Sequence, residues 1–141
     1  MRSRPTGRPS ATWLAEMRFA HVNLVVADPE RSAQFYAALL PQPSDAVWLG
    51  DSLHLRDAGS TDLAFQKGRA AQAPGAHIGF VVMSPAEVER VRALAAELGA
   101  EITEDCDEAD FQSVKFLDPD GYEIEVYWEA AWPLRPLPPS A

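Results

Sequence analysis

The segment Ala20-His21-Val22-Asn23-Leu24-Val25-Val26 recurs later in the chain as Ala76-His77-Ile78-Gly79-Phe80-Val81-Val82. In each copy the apolar side chains fall at every second position, which is the period of a β-strand with one buried face. Asp28-Pro29 follows the first copy and Ser84-Pro85 the second, and a capping residue before proline is typical of a helix start. The chain therefore repeats a unit that begins with a strand and continues into a helix.

Both repeats continue with the same kinds of element. Ser84-Pro85-Ala86-Glu87 is a capping box, and an apolar stripe of helical period follows it and ends at Gly99. Further on, Leu55-Arg56-Asp57-Ala58-Gly59-Ser60 aligns with Phe116-Leu117-Asp118-Pro119-Asp120-Gly121, and turn residues separate short apolar segments around both. The pattern predicts an α+β fold of two tandem βαβββ modules.

The length of 141 residues suits one domain with a single core. The repeat predicts that this domain spans residues 18–128, with modules at 18–66 and 76–128 and a linker between them. The segments 1–17 and 129–141 contain several prolines and are predicted to be tails.

Alternation divides each predicted strand into a core face and a second face. The core faces are apolar: Val22, Leu24, Val26, Leu53, Leu55, Leu63, Phe65, Ile78, Phe80, Val82, Val114, Phe116, Ile124 and Val126. The second faces are mostly polar: His21, Asn23, Val25, Ser52, His54, Arg56, Asp62, Ala64, Gln66, His77, Gly79, Val81, Ser113, Lys115, Glu123, Glu125 and Tyr127. If the two sheets pair side by side, their second faces form one cup, which is the kind of surface that binds small ligands.

The composition limits which partners and which kinds of site the protein is expected to have. The formal net charge is −9, which disfavours nucleic acid, and no run of apolar residues is long enough for a signal sequence or a membrane span, so a cytoplasmic location is expected. The single cysteine, Cys106, excludes an intrachain disulfide and a cysteine-based zinc cluster.

An acidic segment that includes Glu104, Asp105, Asp107 and Glu108 is predicted to be a mobile, solvated loop at the cavity rim and to bind no metal.

Two histidines occupy equivalent repeat positions on the second face. A histidine on a strand is more often a structural residue than a ligand, but two matched histidines together with a carboxylate on the same face favour a metal site. Glu125 supplies that carboxylate. We therefore expect His21, His77 and Glu125 to hold one divalent metal ion, with Fe, Mn, Zn, Ni and Co all compatible.

These features together resemble a known group of proteins. The tandem Ala-His-(Val/Ile) strands, the proline after each, and Asp118-Pro119-Asp120-Gly121 followed after three residues by Glu125 resemble the glyoxalase, bleomycin-resistance and dioxygenase proteins of the vicinal oxygen chelate superfamily. The resemblance implies a paired βαβββ fold, usually a homodimer, with metal ligands at His21, His77 and Glu125. It places a fourth ligand at Ala64, and alanine cannot ligate.

The positions at which the chain departs from the family pattern limit which of the family's reactions it is expected to catalyse. Glyoxalase I carries a glutamate at the place of Ala64, so an ordinary glyoxalase is disfavoured, unless Gln66 or His54 completes the site. Extradiol dioxygenases resemble the chain in its three ligands but carry a tyrosine where this chain has Lys115, and a further histidine that is absent after His77. The resemblance therefore implies a dioxygenase-like or transferase-like metalloenzyme acting on a small oxygen-bearing molecule.

Three second-face residues are candidates for catalysis or substrate positioning, namely His54, Lys115 and Tyr127. The alternative function is a protein that sequesters an antibiotic or metabolite in the same cavity, which the acidic balance would suit if the ligand is cationic. The sequence leaves open whether the modules pair within one chain or across a dimer.

Overall fold

Two four-stranded sheets, each with one helix, make up the part of the chain that the structure describes. This computed structural model describes residues 17, 19–40, 44–57, 62–71 and 73–131. The first module comprises β1 (Val22–Val26), α1 (Pro29–Leu39), β2 (Ser44–Leu49), β3 (Ser52–Asp57) and β4 (Asp62–Lys67). The second comprises β5 (His77–Val81), α2 (Pro85–Glu97), β6 (Ile102–Asp107), β7 (Phe111–Leu117) and β8 (Glu123–Glu129). The predicted βαβββ order is confirmed in both modules.

The two helices begin where the sequence predicts. The Asp28 carboxylate caps α1 by accepting hydrogen bonds from the backbone N–H groups of Glu30 and Arg31, at 3.1 and 3.2 Å. Ser84 caps α2, and the Glu87 carboxylate accepts in return from the backbone N–H of Met83 at 2.9 Å. These bonds satisfy amide groups that the first turn of a helix leaves without partners.

Strand pairing is the same in both sheets. The orders are β1-β4-β3-β2 and β5-β8-β7-β6, so the first strand of each module lies parallel to the last. The remaining neighbours are antiparallel. This topology places each histidine-bearing end next to the last strand of its own module.

A single apolar core joins the two modules. The predicted core positions of β3, β4, β7 and β8 are all buried. On the α1 side, Tyr36 stacks on Phe65 with ring centroids 5.5 Å apart, and Phe35 reaches Phe116 of the second module at 6.4 Å. The helix α1 also contacts α2. Both sheets therefore turn their helix-covered faces toward the shared core and their second faces away from it.

The turn after β7 fastens the second module to the first. The Tyr36 hydroxyl donates to the buried Asp118 carboxylate at 2.6 Å. The Asp120 carboxylate accepts from the Ala27 backbone N–H at 2.9 Å and from the Ser32 hydroxyl at 3.2 Å. Burial raises the pKa of Asp118, and the hydrogen bonds it accepts oppose that rise. The Asp-Pro-Asp-Gly motif is thus a structural connector between modules.

The acidic segment corrects one expectation. The prediction of a mobile loop was wrong, because residues 102–107 form the edge strand β6 and pair with β7. Its charges have cationic partners: Glu104 accepts a hydrogen bond from Lys115 at 3.0 Å, and Asp105 pairs with Arg92 on α2. These partners allow a strongly charged segment to take a regular strand conformation.

The predicted tails lie almost entirely outside the described residues. On the C-terminal side β8 continues to Glu129, one residue into the segment predicted as tail. The domain limits of 18–128 stay a prediction. In the described part of the chain, neither helix is long and apolar enough to span a bilayer.

We expect Tyr36→Phe to lower the free energy of unfolding by about 1–3 kcal/mol, because it removes a donor to a buried carboxyl group. Urea denaturation at neutral pH measures this change. Tyr127→Phe is the matched control, since Tyr127 lies on the open face of its sheet, and its effect should stay within about 0.5 kcal/mol. Equal stability of Tyr36→Phe and the wild-type protein would show that the inter-module bond contributes nothing.

Candidate metal centre

The open face of the first sheet brings two histidines together. His21 immediately precedes β1, and His54 lies on β3. Their ring centroids are 6.4 Å apart. Ala64 on β4 lies between β1 and β3, directly opposite His54 in the strand register, and it is only 2% exposed.

The His54 ring is held in place from behind. Its Nδ1 lies 3.0 Å from one Asp62 oxygen, and the other oxygen accepts from Arg56 Nε at 3.1 Å. Burial opposes ionisation of Asp62, but the hydrogen bonds from His54 and Arg56 outweigh it and lower the pKa of this carboxyl. An ionised carboxylate therefore fixes the orientation of the His54 ring. A metal ion or a substrate would bind His54 through Nε2.

The open face of the second sheet centres on Glu125, whose side chain is only 14% exposed. Lys115 Nζ lies 3.7 Å from its carboxylate, and the Ser113 hydroxyl donates to it at 3.4 Å. The hydrogen bond to Glu104 is the main cause that raises the pKa of Lys115, so this ammonium stays charged at neutral pH. A partly buried carboxylate needs a cationic partner, and Lys115 supplies one in this structure.

His77 lies on the same sheet as Glu125. The register places His77 opposite Glu123, with 3.9 Å between its Nδ1 and that carboxylate, and Gly79 opposite Glu125. A Cβ atom on Gly79 would come within 3.4 Å of the Tyr127 ring, so Tyr127 extends across this position. His77 and Glu125 are therefore diagonal neighbours on adjacent strands, offset by two residues and about 7–8 Å apart.

The three predicted ligands do not meet within one chain. His21 lies on the first sheet, whereas His77 and Glu125 lie on the second. In the described ranges, which contain all three residues, no three His, Cys, Asp or Glu side chains are grouped so that they could hold a metal ion. The donor types nevertheless fit a divalent transition metal, since imidazole and carboxylate are its usual nitrogen and oxygen ligands. Each open face therefore carries some of the three predicted ligands.

Two site features were not predicted from sequence. Strand alternation placed His54, Arg56 and Asp62 on one face, but it did not show that Asp62 binds both of the others. Nor did it show a mainly apolar cleft of about 420 Å³ where the modules meet, with Val22, His77, Ile78 and Tyr122 among its lining residues. The cleft volume is sufficient for a small organic ligand.

Comparison with known proteins places the chain in a family. Residues 21–127 match the family described as glyoxalase-like domain. Fosfomycin resistance protein FosX from Listeria monocytogenes is similar in structure, with a TM-score of 0.68 at 20% identity, over 80% of this chain and 93% of that chain. Lactoylglutathione lyase from Agrobacterium tumefaciens gives 0.63 at 18% identity, over 83% and 97%.

A glyoxalase/bleomycin resistance protein from Albidiferax ferrireducens gives a TM-score of 0.67 at 22% identity, over 79% of this chain and 98% of that chain. No curated protein matches the sequence. The structural likenesses establish the fold, and the family match covers most of the chain. The chain therefore belongs to the glyoxalase-like domain family, within the vicinal oxygen chelate superfamily.

Proposed function

We propose that this protein is a metal-dependent enzyme that acts on a small oxygen-bearing organic molecule through His21, His77 and Glu125. The reaction is dioxygenase-like or transferase-like and not that of glyoxalase I. The observation that carries this proposal is the chemistry of the two open faces, which display all three donors on the sheet sides turned away from the core. Sheet faces that serve only stability would have no need for these groups.

We infer that the working unit is a homodimer. Because the two open faces of one chain point away from the shared core, the site is completed when the first sheet of one subunit faces the second sheet of its partner. His21 would then meet the partner's His77 and the partner's Glu125. Exposed apolar side chains on the edge strand β2 support such a contact: Val47, Trp48 and Leu49 are all at least 40% exposed.

A bound divalent ion would supply Lewis acidity or a centre for binding O₂, with adjacent substrate oxygens as its further ligands. The chain's own groups would position the substrate. Lys115 presents an ammonium beside Glu125, which suits an anionic substrate group, and Tyr127 presents a hydroxyl and a ring on the same face. In the proposed dimer, His54 would face these two residues from the first sheet of the other subunit.

The alternative function is a sequestering protein, as in the bleomycin-resistance branch of the family. The cleft between the modules favours it, because that cleft is mostly apolar and lies partly apart from the proposed ligands. Metal content decides between the two functions. Protein purified without chelator should carry about one metal ion per chain if it is the enzyme, and a metal-free protein that binds a small apolar molecule would support sequestration.

Mixing two inactive variants tests the shared site. His21→Ala and Glu125→Ala should each bind no metal as homodimers, because every site lacks one ligand. After unfolding and refolding together, mixed dimers should contain one intact site each. Random pairing then restores roughly one quarter of the wild-type metal content, since half of the dimers are mixed and half of their sites are intact.

A mixture of His77→Ala and Glu125→Ala is the matched control. Both changes lie in the second module, so no pairing of these chains creates an intact site. Metal content is measured by elemental analysis after gel filtration. No recovery in the first mixture, with a dimer present, would contradict the shared site, and near-stoichiometric metal in any single variant would contradict the ligand assignment.

We expect negligible isomerase activity from the metal-loaded protein. Isomerisation needs a base within reach of a carbon-bound proton, and Ala64 supplies none. The nearest carboxylate along β4, Asp62, is engaged by both His54 and Arg56. Assays with methylglyoxal plus glutathione, and with a racemisation substrate, measure this directly. Turnover of about 1 per second or faster that disappears in Asp62→Asn would contradict this expectation and make isomerase the preferred function.

A further inference from the structure

The position of Ala64 leaves one side of the proposed metal centre without a protein ligand. Ala64 is almost fully buried on the central strand β4, and in the register it has Asn23 on one side and His54 on the other. A side chain on β3 at this level extends over the same part of the open face as a side chain on β4 would. His54 is therefore the neighbour in the strand register whose side chain can reach the place where a ligand on β4 would lie.

The contacts of His54 are those of a metal-binding histidine. Histidines that bind metals usually donate their second ring nitrogen to a carboxylate, which fixes the ring and raises its basicity. Here Nδ1 faces Asp62 at 3.0 Å, and Arg56 holds that carboxylate from its other oxygen. The ring is 15% exposed, so it is neither buried in the core nor free to rotate in solvent.

The distance to His21 permits a shared ion. A metal–nitrogen bond of about 2.0–2.1 Å puts a ring centroid about 3.2 Å from the ion, so two rings on one tetrahedral ion have centroids roughly 5 Å apart. The observed 6.4 Å is about 1 Å longer than this, so one ring must move toward the other for both to bind one ion. His21 is exposed and precedes the strand, so its side chain can turn toward His54 without disturbing the core.

We propose that His54 is a fourth protein ligand of the metal, that it takes the position left by Ala64, and that Asp62 and Arg56 are the positioning residues that orient it. This inference rests on the proposed function, because it assumes the metal held by His21, His77 and Glu125. It makes the centre a site of three histidines and one carboxylate. Gln66 is not needed as a ligand, since its amide lies near Asn23 and Asp51.

Metal affinity and the number of bound imidazoles test this assignment. Zn(II) affinity is measured by competition with a chromophoric chelator, and pulsed EPR of the Cu(II) form counts coupled imidazole nitrogens. The wild-type protein should show three. His54→Ala should show two and bind Zn(II) at least about a hundredfold more weakly, whereas Asp62→Asn should keep three and lose about ten- to a hundredfold in affinity.

Gln66→Ala is the matched control, and its affinity and imidazole count should equal those of the wild-type protein. Circular dichroism verifies folding, and His54→Gln replaces His54→Ala if the latter does not fold. Wild-type affinity in the His54 variant, or two imidazoles in the wild-type protein, would overturn this inference and leave the three-ligand site intact. A wild-type protein that binds no metal would overturn the proposed function together with it.

Discussion

The hydrogen bond from Tyr36 to the buried Asp118 carboxylate fixes how the two modules sit against each other. With Asp120, which binds the start of α1, it joins the turn after β7 to the first helix. Such a bond between buried groups is costly to leave unmade, so the turn and the helix are held together. Because the helices then lie toward the shared core, both sheets present their second faces outward. The candidate site residues lie on these outward faces because of that orientation.

In the proposed dimer, the two open faces would be complementary halves of one site. The first presents two imidazoles above a small alanine, with an ionised carboxylate and a guanidinium behind one of them. The second presents a carboxylate beside an ammonium group. Imidazole nitrogen and carboxylate oxygen are donors that divalent transition metals accept. Under the proposed function, duplication of the βαβββ unit would allow two copies of one small chain to share a metal centre.

Sequence patterns predicted the modules well because each module is determined locally. Alternation along β3, β4, β7 and β8 identified the buried residues, and the caps Asp28 and Ser84 identified the helix starts. The sequence pattern could not predict which side chains from different elements pair with each other. The acidic strand β6 resembled a loop because the cations that neutralise it, Lys115 and Arg92, come from other elements. The pairing of His54 with Asp62 depends likewise on the β3–β4 register.

The most direct test of the shared metal centre is a crystal structure of the metal-loaded protein, with the ion located and identified by anomalous scattering. We expect one ion per chain, bound by His21 of one subunit together with His77 of the partner subunit and Glu125 of the partner subunit. An ion bound by residues of a single chain would contradict the composite site. An ion placed away from both open faces would contradict the ligand assignment itself.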